Sequence, residues 1–315
     1  MTIPVFYSIS DDFAKYAAVS LNSLVKFTSP ENDYTVIFLH QDVSEEHQKA
    51  LSAYEKENVH IQFHKLDDKL MEPIQKRSEN YLRAEMFAPA IFYRLFIPDL
   101  FPQYDKAVYI DSDTVLNDDV ARLYDTELGN NLIGACNDIS VLGVDKAVHY
   151  IKDILLINPK EYINSGVLVM NAKAFRDEKF LDHFFYLLGT YHCDCLAPDQ
   201  DYLNEICSGR IKYLDKRWDA MPGSEDTEMA NPGLIHYNLF FKPWHFTKVQ
   251  YEKYFWENAK ETVFYDEIKS ILDNFSDDDR KNELTKMDGM LGKVDPIEKS
   301  SVNWKSVKEK EKLTL

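Results

Sequence analysis

Lys106-Ala107-Val108-Tyr109-Ile110-Asp111-Ser112-Asp113 reads as a short buried strand that runs directly into two carboxylates. Its unbroken apolar run predicts a strand covered on both faces, as in a parallel sheet. If the chain stays extended past Ile110, Asp111 and Asp113 converge on one point. Like charges held that close at a sheet end are costly unless a cation neutralises them. An oxygen-preferring divalent ion, Mn²⁺ or Mg²⁺, meets that need. The competing reading is an ordinary acidic turn, because Asp-x-Asp is common by chance.

Working outward, similar segments alternate with helical ones. Ile3 to Ile9 is short, apolar and rich in strand formers, and Phe13, Ala17, Leu21, Leu24 and Val25 then fall at helical spacing. Tyr34 to Leu39 reads as another buried strand. Ser44 caps a helix expected to run to about Asn58, and Val59 to Phe63 is strand-like again. A helical stretch is expected around Ser78 to Phe96. Downstream lie an apolar segment at Tyr162 to Met170, a helix at Phe175 to Leu188 and a short amphipathic helix at Asp199 to Cys207. This alternation predicts an α/β fold, a mostly parallel sheet flanked by helices, with ligands outside the carboxyl ends of its strands. Trp218 to Trp244 holds Pro222, Gly223, Pro232, Gly233 and Pro243 and reads as long loops. Beyond Phe246 the pattern is helical and polar. From Ser276 the chain is dense in Asp, Glu and Lys, so a loosely packed, dispensable end is expected.

Charge narrows the partners. The 315 residues include 53 acidic against 36 basic side chains, a formal net charge of -17. Such a surface repels nucleic acid and anionic lipid, and an anionic ligand then needs a metal ion or a few well-placed cations. Cys136, Cys193, Cys195 and Cys207 form no regular framework and read as reduced thiols. Cys193 and Cys195 follow His192 and suggest a metal corner, but no second Cys/His pair lies near in sequence. Met1 to Phe6 lacks the charged start of a signal peptide, and no apolar run is long enough to cross a bilayer. A cytoplasmic protein is expected, with no transmembrane segment and with peripheral membrane contact left open.

Other candidates stand apart in sequence. His236 could complete a set of two carboxylates and one imidazole, and a nitrogen ligand favours Mn²⁺ over Mg²⁺; a packed histidine is the alternative. Lys242 offers a point charge suited to phosphate, or is a solvated lysine. Asp199 could cap the helix it opens, or Asp199 and Gln200 could face a sugar. Asn164 precedes Gly166, which permits close approach of a ligand. Arg94 lies on an otherwise apolar stretch and needs a carboxylate or phosphate partner.

Taken in order, these segments resemble glycosyltransferase family 8, which contains bacterial lipopolysaccharide galactosyl- and glucosyltransferases and glycogenin. The order is Ser10-Asp11-Asp12-Phe13, Tyr93-Arg94-Leu95, Asp111-Ser112-Asp113, Asn164-Ser165-Gly166, Asp199-Gln200-Asp201, and His236-Tyr237 with Lys242-Pro243-Trp244-His245. The resemblance implies a GT-A fold, Rossmann-like, over residues 1–250, and leaves 251–315 as a helical, polar, partly disordered extension. It implies a retaining transfer of a hexose, glucose or galactose, from a UDP-hexose to a glycan, glycolipid or glycoprotein. Asp111, Asp113 and His236 would hold the metal. Ser8, Ser10, Asp11, Asp12, Arg94, Asp111, Ser112, Asn164, Asp199, Gln200 and Lys242 would bind the donor, with Gln200 and Asp199 as catalytic candidates beneath the sugar. The family's frequent Asp-Asp-Asn-Tyr opening stands here as Ser10-Asp11-Asp12-Phe13, and a glycine common after its His-Tyr pair is replaced within Asn238-Leu239-Phe240. A nucleotidyltransferase or sugar-nucleotide hydrolase, or a non-catalytic nucleotide-sugar-binding protein, would use a similar sheet.

Overall fold

A computed structural model describes residues 2–75, 89–223 and 227–315. Its strands are β1 (Thr2–Ser8), β2 (Asp33–His40), β3 (Val59–Lys65), β4 (Ala107–Ile110), β5 (Thr114–Leu116), β6 (Ile133–Asn137), β7 (Ile163–Met170), β8 (Ile211–Tyr213) and β9 (Leu234–His236). Seven of them form one sheet in the order β3-β2-β1-β4-β7-β6-β8. The first four are parallel, β7 runs against both its neighbours, and β8 lies parallel to β6. Mostly parallel strands with helices between them match the α/β expectation.

Alternation along each strand explains why both faces are covered. In β4, Ala107 and Tyr109 enter one core while Val108 and Ile110 enter the other. In β7, Leu168 and Met170 take the first side, Val167 and Val169 the second. Side chains on successive residues point to opposite faces, so a strand apolar at every position can only be central.

Two features bring the chemistry to one edge. Strand β1 pairs with β4 through Phe6 and Tyr109, so two residues later Ser8 and Asp111 leave the sheet side by side. Strands β5 and β9 form a separate antiparallel ribbon that sets Thr114 opposite His236. The ribbon starts just after Asp113, and that pairing delivers the histidine to the carboxylates.

The helix expected at Ser78 to Phe96 lies outside the described residues as far as 88. Its described part, Pro89–Phe96, is a 3-10 helix. Arg94 Nε donates to the Ile91 carbonyl at 2.9 Å, an acceptor that an α-turn would use.

The end of the chain is helical, as expected, but it is not loosely packed. Beyond Ser276, Val294, Ile297, Trp304, Val307 and Leu313 are buried in the core on the Tyr109 side. Only Asp277–Gly292 lacks a buried residue, as its polarity suggests. Average composition hid a sparse set of apolar side chains spaced three apart. Trp304 meets Tyr202 edge-on at 4.8 Å, Lys308 pairs with the buried Glu205 at 2.7 Å, and the Leu315 N–H donates to the Ile206 carbonyl at 3.1 Å. All three clasp the helix Pro198–Ile206. Deleting residues after Ser276 is therefore expected to give insoluble or molten protein, and Trp304→Ala to cost about 3–5 kcal/mol. Thermal melts check both, and a truncated chain melting like the full one would show the tail to be dispensable.

Candidate active site

Asp111, Asp113 and His236 each place a ligand atom within 4.8 Å of the others. His236 Nε2 lies 3.4 Å from Asp113 Oδ1 and 3.7 Å from Asp111 Oδ2, too far for good hydrogen bonds. This nitrogen is buried without a hydrogen-bond partner among the described residues. On the other side of the ring, Nδ1 meets Asp219 Oδ1 at 2.9 Å, which fixes the imidazole and leaves Nε2 facing the carboxylates. Burial lowers the His236 pKa, but Asp113 and Asp219 outweigh it and raise it to about 10. Burial pushes Asp113 up, yet Lys242 and His236 hold it well below the usual carboxylate range. The carboxylates around the ring thus favour positive charge there, which a divalent ion would supply.

Backbone packing enforces this convergence. The Asp111 N–H donates to the Gly166 carbonyl at 2.7 Å. A Cβ on Gly166 would lie 2.2 Å from His236 Cε1 and 2.8 Å from Asp111 Oδ2. Only glycine lets the ring and the carboxylate meet there.

Arg94 finds the partner its burial demands. It donates to Asp111 Oδ1 at 2.9 Å and to the Ser165 carbonyl at 2.5 Å, and lies 3.2 Å from Asp199 Oδ2. Its guanidinium also sits 4.4 Å from the centroid of Tyr109, whose hydroxyl donates to Asp111 at 2.6 Å. Burial alone would lower the Arg94 pKa, but Asp111, Tyr109 and Asp199 raise it further. Asp199 is fully buried and does not cap its helix; Ser165 Oγ donates to it at 2.8 Å. Gln200 Oε1 accepts from the Ser165 N–H at 3.1 Å, and its Nε2 donates to Asp138 Oδ2 at 3.0 Å. Asn164 Nδ2 reaches the same Asp138 oxygen at 3.2 Å, while its Oδ1 accepts from the Gly166 N–H at 2.8 Å. Asp201 belongs to the core instead. Tyr150 and Tyr162 donate to it, and burial, only partly countered by those bonds, pushes its carboxyl up to about 6.

Lys242 Nζ donates to the Asp113 carboxylate and to the Tyr237 carbonyl, so the cation stands beside the candidate metal ligands. Its loop is anchored by Trp244 stacked on Tyr16 at 3.9 Å and by His245 stacked on Phe275 at 4.0 Å. Leu239 and Phe241 take left-handed φ values of 54° and 59°. The backbone therefore makes a turn that suits glycine, at the cost of about 1–2 kcal/mol per residue.

At the ends of β1 and β4, Ser8 and Ser112 are buried, Ser10 is half-buried and Asp12 is exposed. Asp11 is turned toward the next helix, accepting from the Ser44 N–H at 2.8 Å and meeting His47 Nδ1 at 2.7 Å. The four cysteines are buried free thiols, and Cys193 and Cys195 join no three-ligand group among the described residues. Sequence reading missed Asp138, Asp219, Ser165 and Tyr109. Asp138 carried a readable signal, since it follows the apolar run of β6 much as Asp111 follows β4; Asp219 carried none.

The family model described as Glycosyl transferase family 8 matches residues 4–248. The chain belongs to that family. A Haemophilus influenzae relative is 24% identical over 230 residues, covering 71% of this chain and 65% of its own length. The lipopolysaccharide 1,2-glucosyltransferase of Escherichia coli K12 is 26% identical over 192 residues, 56% of each chain. The chain thus spans under two thirds of both relatives. Among solved structures, galactosyltransferase LgtC in complex with donor and acceptor sugar analogs superposes with a TM-score of 0.69 at 22% identity, covering 83% of this chain and 96% of that one. This family 8 chain has the GT-A fold. No helix among its described residues is long and apolar enough to cross a membrane.

Proposed function

We propose that this family 8 chain moves a hexose, glucose or galactose, from a UDP-sugar to a glycan, glycolipid or glycoprotein hydroxyl with retention. The observation that carries the reading is the convergence of Asp111, Asp113 and His236 beside Lys242 and Arg94. Two carboxylates and an imidazole whose Nε2 is otherwise unbonded suit Mn²⁺, with Mg²⁺ as the alternative. Bound there, the ion would act as a Lewis acid on the departing diphosphate. Lys242 would leave Asp113 to pair with the diphosphate and stabilise its growing charge. Ser8, Ser10, Asp12 and Ser112, at the carboxyl ends of β1 and β4, are the donor contacts this reading assigns around the nucleoside; Asp11 would support them through Ser44 and His47. Arg94, Asn164 and Asp199 would shape the sugar pocket. The Gln200 side-chain carbonyl, held by Ser165, would turn its dipole toward the anomeric carbon, where positive charge develops. The glucosyl- and galactosyltransferase names of the similar proteins support a hexose donor. A cytoplasmic location with peripheral membrane contact fits a glycolipid acceptor.

The deciding experiment is UDP release from a panel of UDP-sugars with and without Mn²⁺, followed by NMR of the first-formed product. Release is expected only with metal, and an α-donor should give an α-linkage. Full activity in excess chelator would remove the metal role, and a β-linked product would remove retention. Consumption of a sugar phosphate with a nucleoside triphosphate would instead identify a nucleotidyltransferase. Gln200→Ala should slow turnover while leaving it measurable, because metal and Lys242 still assist departure.

A further inference from the structure

A cavity of about 280 Å³ opens at the carboxyl end of the helix Pro198–Ile206, whose first turn carries Asp199 and Gln200. Tyr213, Glu161, Ser208, Gly209 and Asn204 line it with two isoleucines, and none of these belongs to the site described above. Tyr213 lies on β8, the last strand of the sheet, and is 44% exposed. Its hydroxyl donates to the Glu161 carbonyl at 3.1 Å, which pins the ring at the cavity. The Glu161 carboxylate is near enough that, after burial, it is the second cause raising the Tyr213 pKa. At Gly209, φ is 77° and no heavy atom lies within 4 Å of where a Cβ would stand, so the backbone there is open to a ligand.

The lining specifies the ligand. No lysine or arginine is among the lining residues, and the whole chain carries a net charge of -17, so an anion would be repelled. A fixed aromatic face with a negative quadrupole attracts polarised C–H groups, and the isoleucines extend that apolar wall. The lining also offers the Glu161 carboxylate and the Ser208 hydroxyl, which can bind hydroxyl groups of a ligand. The volume is near the lower end for small-molecule sites and fits a single ring. Asn204 lies on the same helix as Gln200, one turn on, its Nδ2 donating to the Gln200 backbone carbonyl at 2.9 Å.

We propose that this cavity is a second carbohydrate site, taking one neutral sugar ring against Tyr213 with its hydroxyls on Glu161 and Ser208. It rests on the reading that the chain acts on glycans, and it would hold a part of the acceptor remote from the reacting hydroxyl.

Saturation-transfer NMR tests it on the full chain without donor or metal. The probes are methyl β-glucoside, methyl β-galactoside and N-acetylglucosamine, with butylamine as a cationic control. At least one sugar should bind, and Tyr213→Ser or the cavity-filling Ser208→Trp should weaken it at least tenfold. Both positions are exposed, so melting temperature should hold, and UDP release from donor alone should be unchanged. The proposal fails if no sugar binds, if both variants bind it as wild type does, or if only butylamine responds to the substitutions. Sugar binding that depends on Tyr213 in a protein without transfer activity would sink the transferase reading alone. Transfer activity with sugar binding indifferent to Tyr213 would sink this proposal alone.

Discussion

Gly166→Ala is expected to weaken divalent-ion binding about 100-fold or more and to abolish metal-dependent UDP release with it. The added methyl would stand 2.2 Å from His236 Cε1, closer than any real contact, and Asp219 together with burial keeps the ring from stepping aside. Backbone conformation is not the obstacle, because Gly166 is not among the positive-φ residues. A double variant separates the causes. Adding His236→Ala removes the closest clash, leaving only the 2.8 Å approach to Asp111 Oδ2, and should restore part of the lost melting temperature, but not the metal. Calorimetry with Mn²⁺ gives the affinities. Wild-type affinity in Gly166→Ala would mean that His236 is not a ligand.

The two aspartates should differ when each is replaced by alanine. Either change is expected to cut transfer by about 10³-fold or more, in the range of losing a principal electrostatic stabiliser. Asp111→Ala should also destabilise the fold by about 1.5–3 kcal/mol, the scale of a hydrogen bond to a charged group, because buried Arg94 and the Tyr109 hydroxyl both lose their acceptor. Asp199, at 3.2 Å, limits the damage to Arg94. Asp113→Ala takes a counter-charge from Lys242 but leaves it the Tyr237 carbonyl and leaves Arg94 and Tyr109 paired, so it should melt above Asp111→Ala. Equal melting of the two variants would contradict the part assigned to Arg94, and full activity in either would remove the metal set.

How legible this was depended on the kind of interaction. The strand before Asp111 could be read because an apolar run bounded by charge has few other uses. Arg94 could be given a carboxylate or phosphate partner because an unpaired buried cation is too costly. His236 was nominated by type and position, but only the β5–β9 pairing puts it opposite Thr114. Asp219 was invisible, because nothing local distinguishes it from an exposed acid; its meaning comes from a ring seventeen residues away in sequence. The tail was misjudged for the opposite reason, a few buried side chains being diluted by many charged ones.

The β5–β9 pairing also sets an order of events as the chain is made. Thr114 leaves the ribosome 122 residues before His236, about 6–24 s earlier at ordinary synthesis rates of ~5–20 residues per second. During that interval Asp111 and Asp113 have neither the imidazole nor Lys242 beside them. Trp304 and Leu315, which clasp the Pro198–Ile206 helix, emerge later still. A nascent chain stalled before Trp304 would therefore carry every candidate metal ligand and still lack the contacts that close this core.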